Sequence, residues 1–134
     1  MCWFIQLKVT ARKRPDEAAA TIERLAERFG VYLRGQFPAL YVTDGHCSCD
    51  YVQNDGRAIH IASFIEAVVK AEQIKNVEVG WTWGEQIKPE AAVERLSVQE
   101  FAAHNVSVSL KPDTWYRLND PDKYQFQTFR TSMS

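Results

Sequence analysis

Residues 3–30 read WFIQLKVTARKRPDEAAATIERLAERFG, and this stretch decides the fold class. From Trp3 to Thr10 the residues alternate: Trp3, Ile5, Leu7 and Val9 share one face, while Gln6, Lys8 and Thr10 share the other. A period of two with one apolar face is the pattern of a strand half-buried against a core. Arg12-Lys13-Arg14 breaks the alternation, and from Pro15 the period becomes that of a helix. Proline suits the first helical position, since its missing N–H would have no partner there. Asp16 and Glu17 lie at the positive end of the helix dipole and Arg28 near the negative end. Ala18, Ile22, Leu25 and Phe29 recur at helical spacing as a buried stripe, and Gly30 supplies a left-handed stop.

Working outward, Val31–Arg34 reads as a strand interrupted by Gly35 and Pro38. Ala39–Thr43, Asp44-Gly45 and His46–Val52 read as a hairpin, because a type I′ turn needs positive φ at both central residues. In that register Thr43 faces His46, Val42 faces Cys47, Tyr41 faces Ser48 and Leu40 faces Cys49. Ile61, Phe64, Ile65, Val68 and Ala71 predict a second amphipathic helix ending near Asn76. Val77, Val79, Trp81 and Trp83 then alternate as a strand, and Ser97-Val98-Gln99-Glu100 is a capping box that opens a short helix. Val106, Val108 and Leu110 alternate in another strand, and Trp115–Leu118 and Tyr124–Phe129 are further extended segments. This order predicts a single α+β domain over residues 1–134. Its expected form is a ferredoxin-like βαββαβ sandwich, a largely antiparallel sheet with helices packed on one face, plus a C-terminal extension.

The 134 residues are 46% hydrophobic and 25% charged, a balance suited to one packed core. The net charge of −1 gives no bulk attraction to nucleic acid or anionic membrane, so neither is expected as a partner. No apolar run approaches the roughly 20 residues of a membrane helix. The opening also lacks the charged-then-apolar order of a secretory signal, since Arg12-Lys13-Arg14 follows the apolar stretch. Three cysteines are too few, and odd in number, for a disulfide scaffold, and they suit a reducing compartment. The expected location is the cytoplasm.

Candidate chemistry centres on Gly45-His46-Cys47-Ser48-Cys49-Asp50. Histidine and cysteine are the ligands zinc prefers, and thiolates also serve redox chemistry. Cys47, Cys49, His46 and Asp50 are therefore the catalytic candidates, and Cys47, Cys49 and Cys2 the metal candidates. Zinc knuckles usually space their cysteines by two to four residues and come in pairs, whereas here one Cys-x-Cys stands alone. In the expected register Cys47 and Cys49 project with Leu40 and Val42, away from His46 and Asp50, and free cysteine commonly packs as a small hydrophobe. His46, His60 and His104 show no metal spacing, and there is no glycine-rich phosphate loop. No cofactor is expected.

The aromatics point elsewhere. Trp81 and Trp83 share a strand face with Val77 and Val79, where they pack a core or line a small-molecule pocket. Trp115 and Tyr116 are adjacent, so in an extended chain they point to opposite faces, and one leaves the core unless something covers it. Trp115, Tyr116, Trp81 and Trp83 are accordingly the candidate binding residues. The leading expectation is a non-enzymatic binding module that acts through a protein partner or as a homo-oligomer, in the manner of an adaptor, inhibitor or immunity-type protein. The alternative is a thiol- or metal-dependent enzyme or sensor built on the 46–50 hairpin.

Overall fold

A computed structural model describes residues 3–43, 59–83, 87, 91–103 and 111–120. The first strand, β1 (Trp3–Ala11), and the first helix, α1 (Pro15–Phe29), form where the change of period places them. Ile5, Leu7 and Val9 are all but inaccessible, whereas Lys8 and Thr10 are exposed. Pro15 opens α1, and Arg14 pairs with Asp16 at 3.2 Å and Glu17 at 3.6 Å on the surface. Gly30, at φ 70°, ends the helix, and the N–H of Val31 donates to the Ala26 carbonyl at 2.8 Å.

Next come β2 (Tyr32–Gln36) and β3 (Ala39–Thr43), an antiparallel pair joined across the cis Phe37–Pro38 bond. Leu40, Tyr41 and Val42 therefore take Gly35, Arg34 and Leu33 as partners on one side and Leu7, Gln6 and Ile5 on the other. Strand β3 thus finds its hairpin partner before it in the chain, where the Asp44-Gly45 signal had placed one after it. Residues 44–58 lie outside the described residues.

Helix α2 (Ile59–Lys70) buries Ile61, Phe64, Ile65 and Val68. It stops at Lys70 rather than near Asn76, because a turn at Glu72-Gln73 lets Ile74 start β4 (Ile74–Trp83). Strand β4 pairs antiparallel with β1 along its length, with one irregularity at Thr10/Ala11 that accommodates Ile74. Strand β5 (Val93–Ser97) leads directly into α3 (Val98–Ala103), and Ser97 Oγ accepts the Glu100 N–H at 3.1 Å as the helix cap. Strand β6 (Trp115–Asn119) then runs antiparallel to β4 and parallel to β5.

The result is an α+β fold with a six-stranded, mostly antiparallel sheet in the order β2-β3-β1-β4-β6-β5 and three helices. Helix α1 contacts α2, and α2 contacts α3. Their buried sides form one cluster with Ile5, Leu7, Val9, Val42, Val77, Val79 and Leu118. The other sheet face is covered at its centre. Ile87 is buried there, and its N–H donates to Gln6 Oε1 at 3.2 Å. Thr82 Oγ1 donates to Asp113 Oδ1, and the Asp113 N–H donates to the Trp81 carbonyl at 3.0 Å. These bonds account for two buried polar side chains, Gln6 and Thr82, that would otherwise be costly. Among the described residues no helix is long and apolar enough to cross a membrane.

Candidate functional site

Helix α1 turns toward β2 a stripe of Ala19, Ile22, Glu23, Ala26 and Glu27 that overlaps its buried face at Ile22 and Ala26. This stripe looks toward β2, the strand at one end of the sheet. Three residues there are small. Ala19 and Ala26 add little bulk, and Gly35 adds none. Gly35 sits at φ 89°, and a Cβ on it would lie 3.0 Å from the Ala39 carbonyl oxygen, so a larger residue fits neither the backbone nor the space. An open groove of about 620 Å³ lies between α1 and the β2–β3 hairpin, with the small Ala19 and Ala26 on its helical side. That volume is within the range of ligand and peptide-side-chain pockets.

The groove floor is apolar, formed by Ile22, Ala26, Val31, Leu33, Phe37 and Leu40. Its helical rim carries Glu23 and Glu27, both exposed, and neither enters an ion pair among the described residues. The arginines of the same helix turn elsewhere: Arg24 Nη2 donates to Thr21 Oγ1 at 3.2 Å, and Arg28 lies 5.8 Å from the Phe29 ring centroid. On the strand, Leu33 shares the face of Val42 and Ile5 and lines the groove with Tyr32, Gly35 and Gln36, whereas Arg34 is not part of the lining. Tyr32 is 64% accessible, which makes it the exposed large aromatic of the described residues. Among those residues no strand pairs with the outer side of β2, so about half of its backbone N–H and C=O groups face outward.

The residues singled out in the sequence fall elsewhere. Cys2, His46, Cys47, Ser48, Cys49 and Asp50 lie outside the described residues. Among the described residues no group of three or more His, Cys, Asp or Glu side chains could hold a metal. Trp81 packs in the core between sheet and helices, and Trp83 is placed by its backbone opposite Trp3. Trp115 and Tyr116 point to opposite faces, as extended backbone requires, and both are buried, at 7% and 4% exposure. Tyr116 joins the helix-side core, and its hydroxyl accepts the Lys111 N–H at 2.8 Å. Trp115 faces the other side, with Lys8 Nζ 5.9 Å from its ring centroid.

The basic run Arg12-Lys13-Arg14 borders a separate polar cleft of about 280 Å³ shared with Glu17 and Glu72. Its positive charge is thus partly offset locally. The groove was detectable in the sequence only as the period Ala19-Glu23-Ala26 beside the core stripe and as Gly35 within a strand. No family model, curated protein or solved structure matches the chain, so its function is read from its own residues.

Proposed function

We propose that this chain is a binding module that engages another polypeptide through the free edge of β2 and the groove beside it. The observation that carries this reading is the coincidence, among the described residues, of a sheet edge without a pairing strand and an apolar groove on its helix side. An edge strand offers main-chain hydrogen bonds to an incoming strand, and a neighbouring groove takes its alternate side chains. Each such backbone bond contributes only about 0.5–1.5 kcal/mol net. Burying one Val- or Leu-sized side chain in the groove contributes about 1.5–3 kcal/mol. Side-chain filling therefore decides which partner binds, and the ladder holds it.

The order β2-β3-β1-β4, with α1 joining β1 to β2 and α2 joining β3 to β4, each across one intervening strand, supports taking the first six elements as a ferredoxin-like βαββαβ core. Strands β5 and β6 with α3 then extend the sheet on the side away from β2, leaving that edge for recognition.

A photo-crosslinking side chain in place of Tyr32 tests the reading in living cells. The expected result is a discrete crosslinked species, either hetero- or homo-oligomeric, that Leu33→Asp eliminates. A chain that gives no crosslink, and that sediments as a monomer at every concentration, overturns it.

A further inference from the structure

We infer that the occupant of the β2 groove is an extended segment of a different protein, carrying lysine or arginine among its groove-facing residues and an acidic residue facing Arg34. This inference rests on the binding-module reading above and adds the chemistry of the partner.

A strand laid beside β2 sends successive side chains to alternate faces. The one beside Leu33 enters the groove, and the next points to the side of Arg34. On the groove side the residues met are an apolar floor and the Glu23–Glu27 rim, one helical turn apart. Because Arg24 and Arg28 are directed onto Thr21 and Phe29, the helix's charge toward the groove is negative. A long basic side chain satisfies both requirements, laying its methylenes on the floor and its charge at the rim. On the other face Arg34 is exposed and selects the opposite sign.

A second copy of this chain does not meet these terms. Joining two β2 edges antiparallel, about a two-fold axis perpendicular to the sheet, sets both α1 helices over one face of a continuous sheet. The Glu23 and Glu27 stripes then face each other, and like charges so placed repel. The same stripes that attract a basic segment therefore disfavour self-pairing at this edge.

Panning random ten-residue peptides displayed on phage against the immobilised chain provides the test. Enriched peptides are expected to alternate apolar and basic residues on one side with acidic residues on the other. Measured by fluorescence anisotropy, an enriched peptide should bind Glu23→Lys/Glu27→Lys roughly five- to tenfold more weakly, the effect of reversing two exposed charge pairs. Exchanging its basic residue for glutamate should restore binding to that variant. Both substituted positions are exposed, so the fold is not at stake. Enriched peptides that are acidic on the groove side, or that ignore the double charge reversal, overturn the inference. No enrichment together with concentration-dependent self-association that Leu33→Asp abolishes overturns it and leaves the binding-module reading standing. No enrichment and no self-association bring down both.

Discussion

Replacing Gly80 by alanine sets two opposing effects against each other, and the structure decides the sign. Glycine inside a strand is entropically costly, so Gly→Ala at a compatible position stabilises by about 0.4–1 kcal/mol. At Gly80, however, a Cβ would stand 2.6 Å from both Ile87 Cδ1 and the Thr114 carbonyl oxygen. Ile87 can turn its terminal methyl aside. The Thr114 carbonyl cannot retreat freely, because its chain is held on either side by Asp113 N–H to the Trp81 carbonyl at 3.0 Å and Trp115 N–H to the Ala92 carbonyl at 2.9 Å. Overpacking costs about 1–3 kcal/mol, and the 2.6 Å approach to backbone puts this site at about 2–3 kcal/mol, so that subtracting an entropic gain of about 1 kcal/mol leaves a net loss of about 1–2 kcal/mol. With an unfolding entropy of about 0.3 kcal/mol per degree for a chain of 134 residues, Tm should fall by about 3–7 °C. Differential scanning calorimetry reads the shift, and urea titration checks that the midpoint moves while the slope does not. In an Ile87→Ala background the penalty should persist, since the carbonyl remains. An unchanged or higher Tm for Gly80→Ala would refute the claim that the second sheet face is tightly covered at this point.

Two further substitutions test the core and the helix stop. Phe64→Ala empties the largest fully buried side chain of α2 and should cost about 3–5 kcal/mol, measured as a drop in urea midpoint; a loss under 1 kcal/mol would mean that Phe64 does not pack the helix layer. Gly30→Ala meets no atom within 4 Å, so its cost should come from the positive φ alone, at about 1–2 kcal/mol; equal stability would show that α1 ends without a left-handed residue.

Local patterning made β1 and α1 legible. The alternation in Trp3–Thr10, Pro15 at the helix start and Gly30 at its end each act within a few residues, and each appears as read. Ser97 as a cap is legible for the same reason. The pairing of β3 was not. Asp44-Gly45 is a strong local turn signal, yet the strand's two neighbours are set by contacts distant in sequence. Once β1 occupies one side of Leu40–Val42, the preceding segment claims the other, and Gly35 enters that strand at a positive φ instead of interrupting it. The burial of Trp115 was equally hidden, since it depends on the sheet's second face and on Lys8 from a strand more than a hundred residues earlier. The groove escaped notice because it is made of what is missing: alanines and a glycine carry no chemistry to attract attention.

Where such a chain can bind follows from which of its surfaces are already committed. One sheet face is closed by α1, α2 and α3, and the centre of the other by Ile87 and the residues leading into β6. The β5 edge carries Glu94, paired to Lys111 at 3.4 Å, and Arg95, both exposed, and charged side chains are a common guard against strand addition. The β2 edge also carries a charge, Arg34, but on the face away from the groove, where it constrains an incoming strand's sequence without blocking its approach. Ala19 and Ala26 lie on the stripe of α1 that faces β2, whereas Ala18 packs in the core and Ala20 is exposed. Among the described residues, the β2 edge therefore combines small helix residues, outward backbone groups and acidic side chains without an ion pair, and it is on this combination that the proposed recognition surface rests.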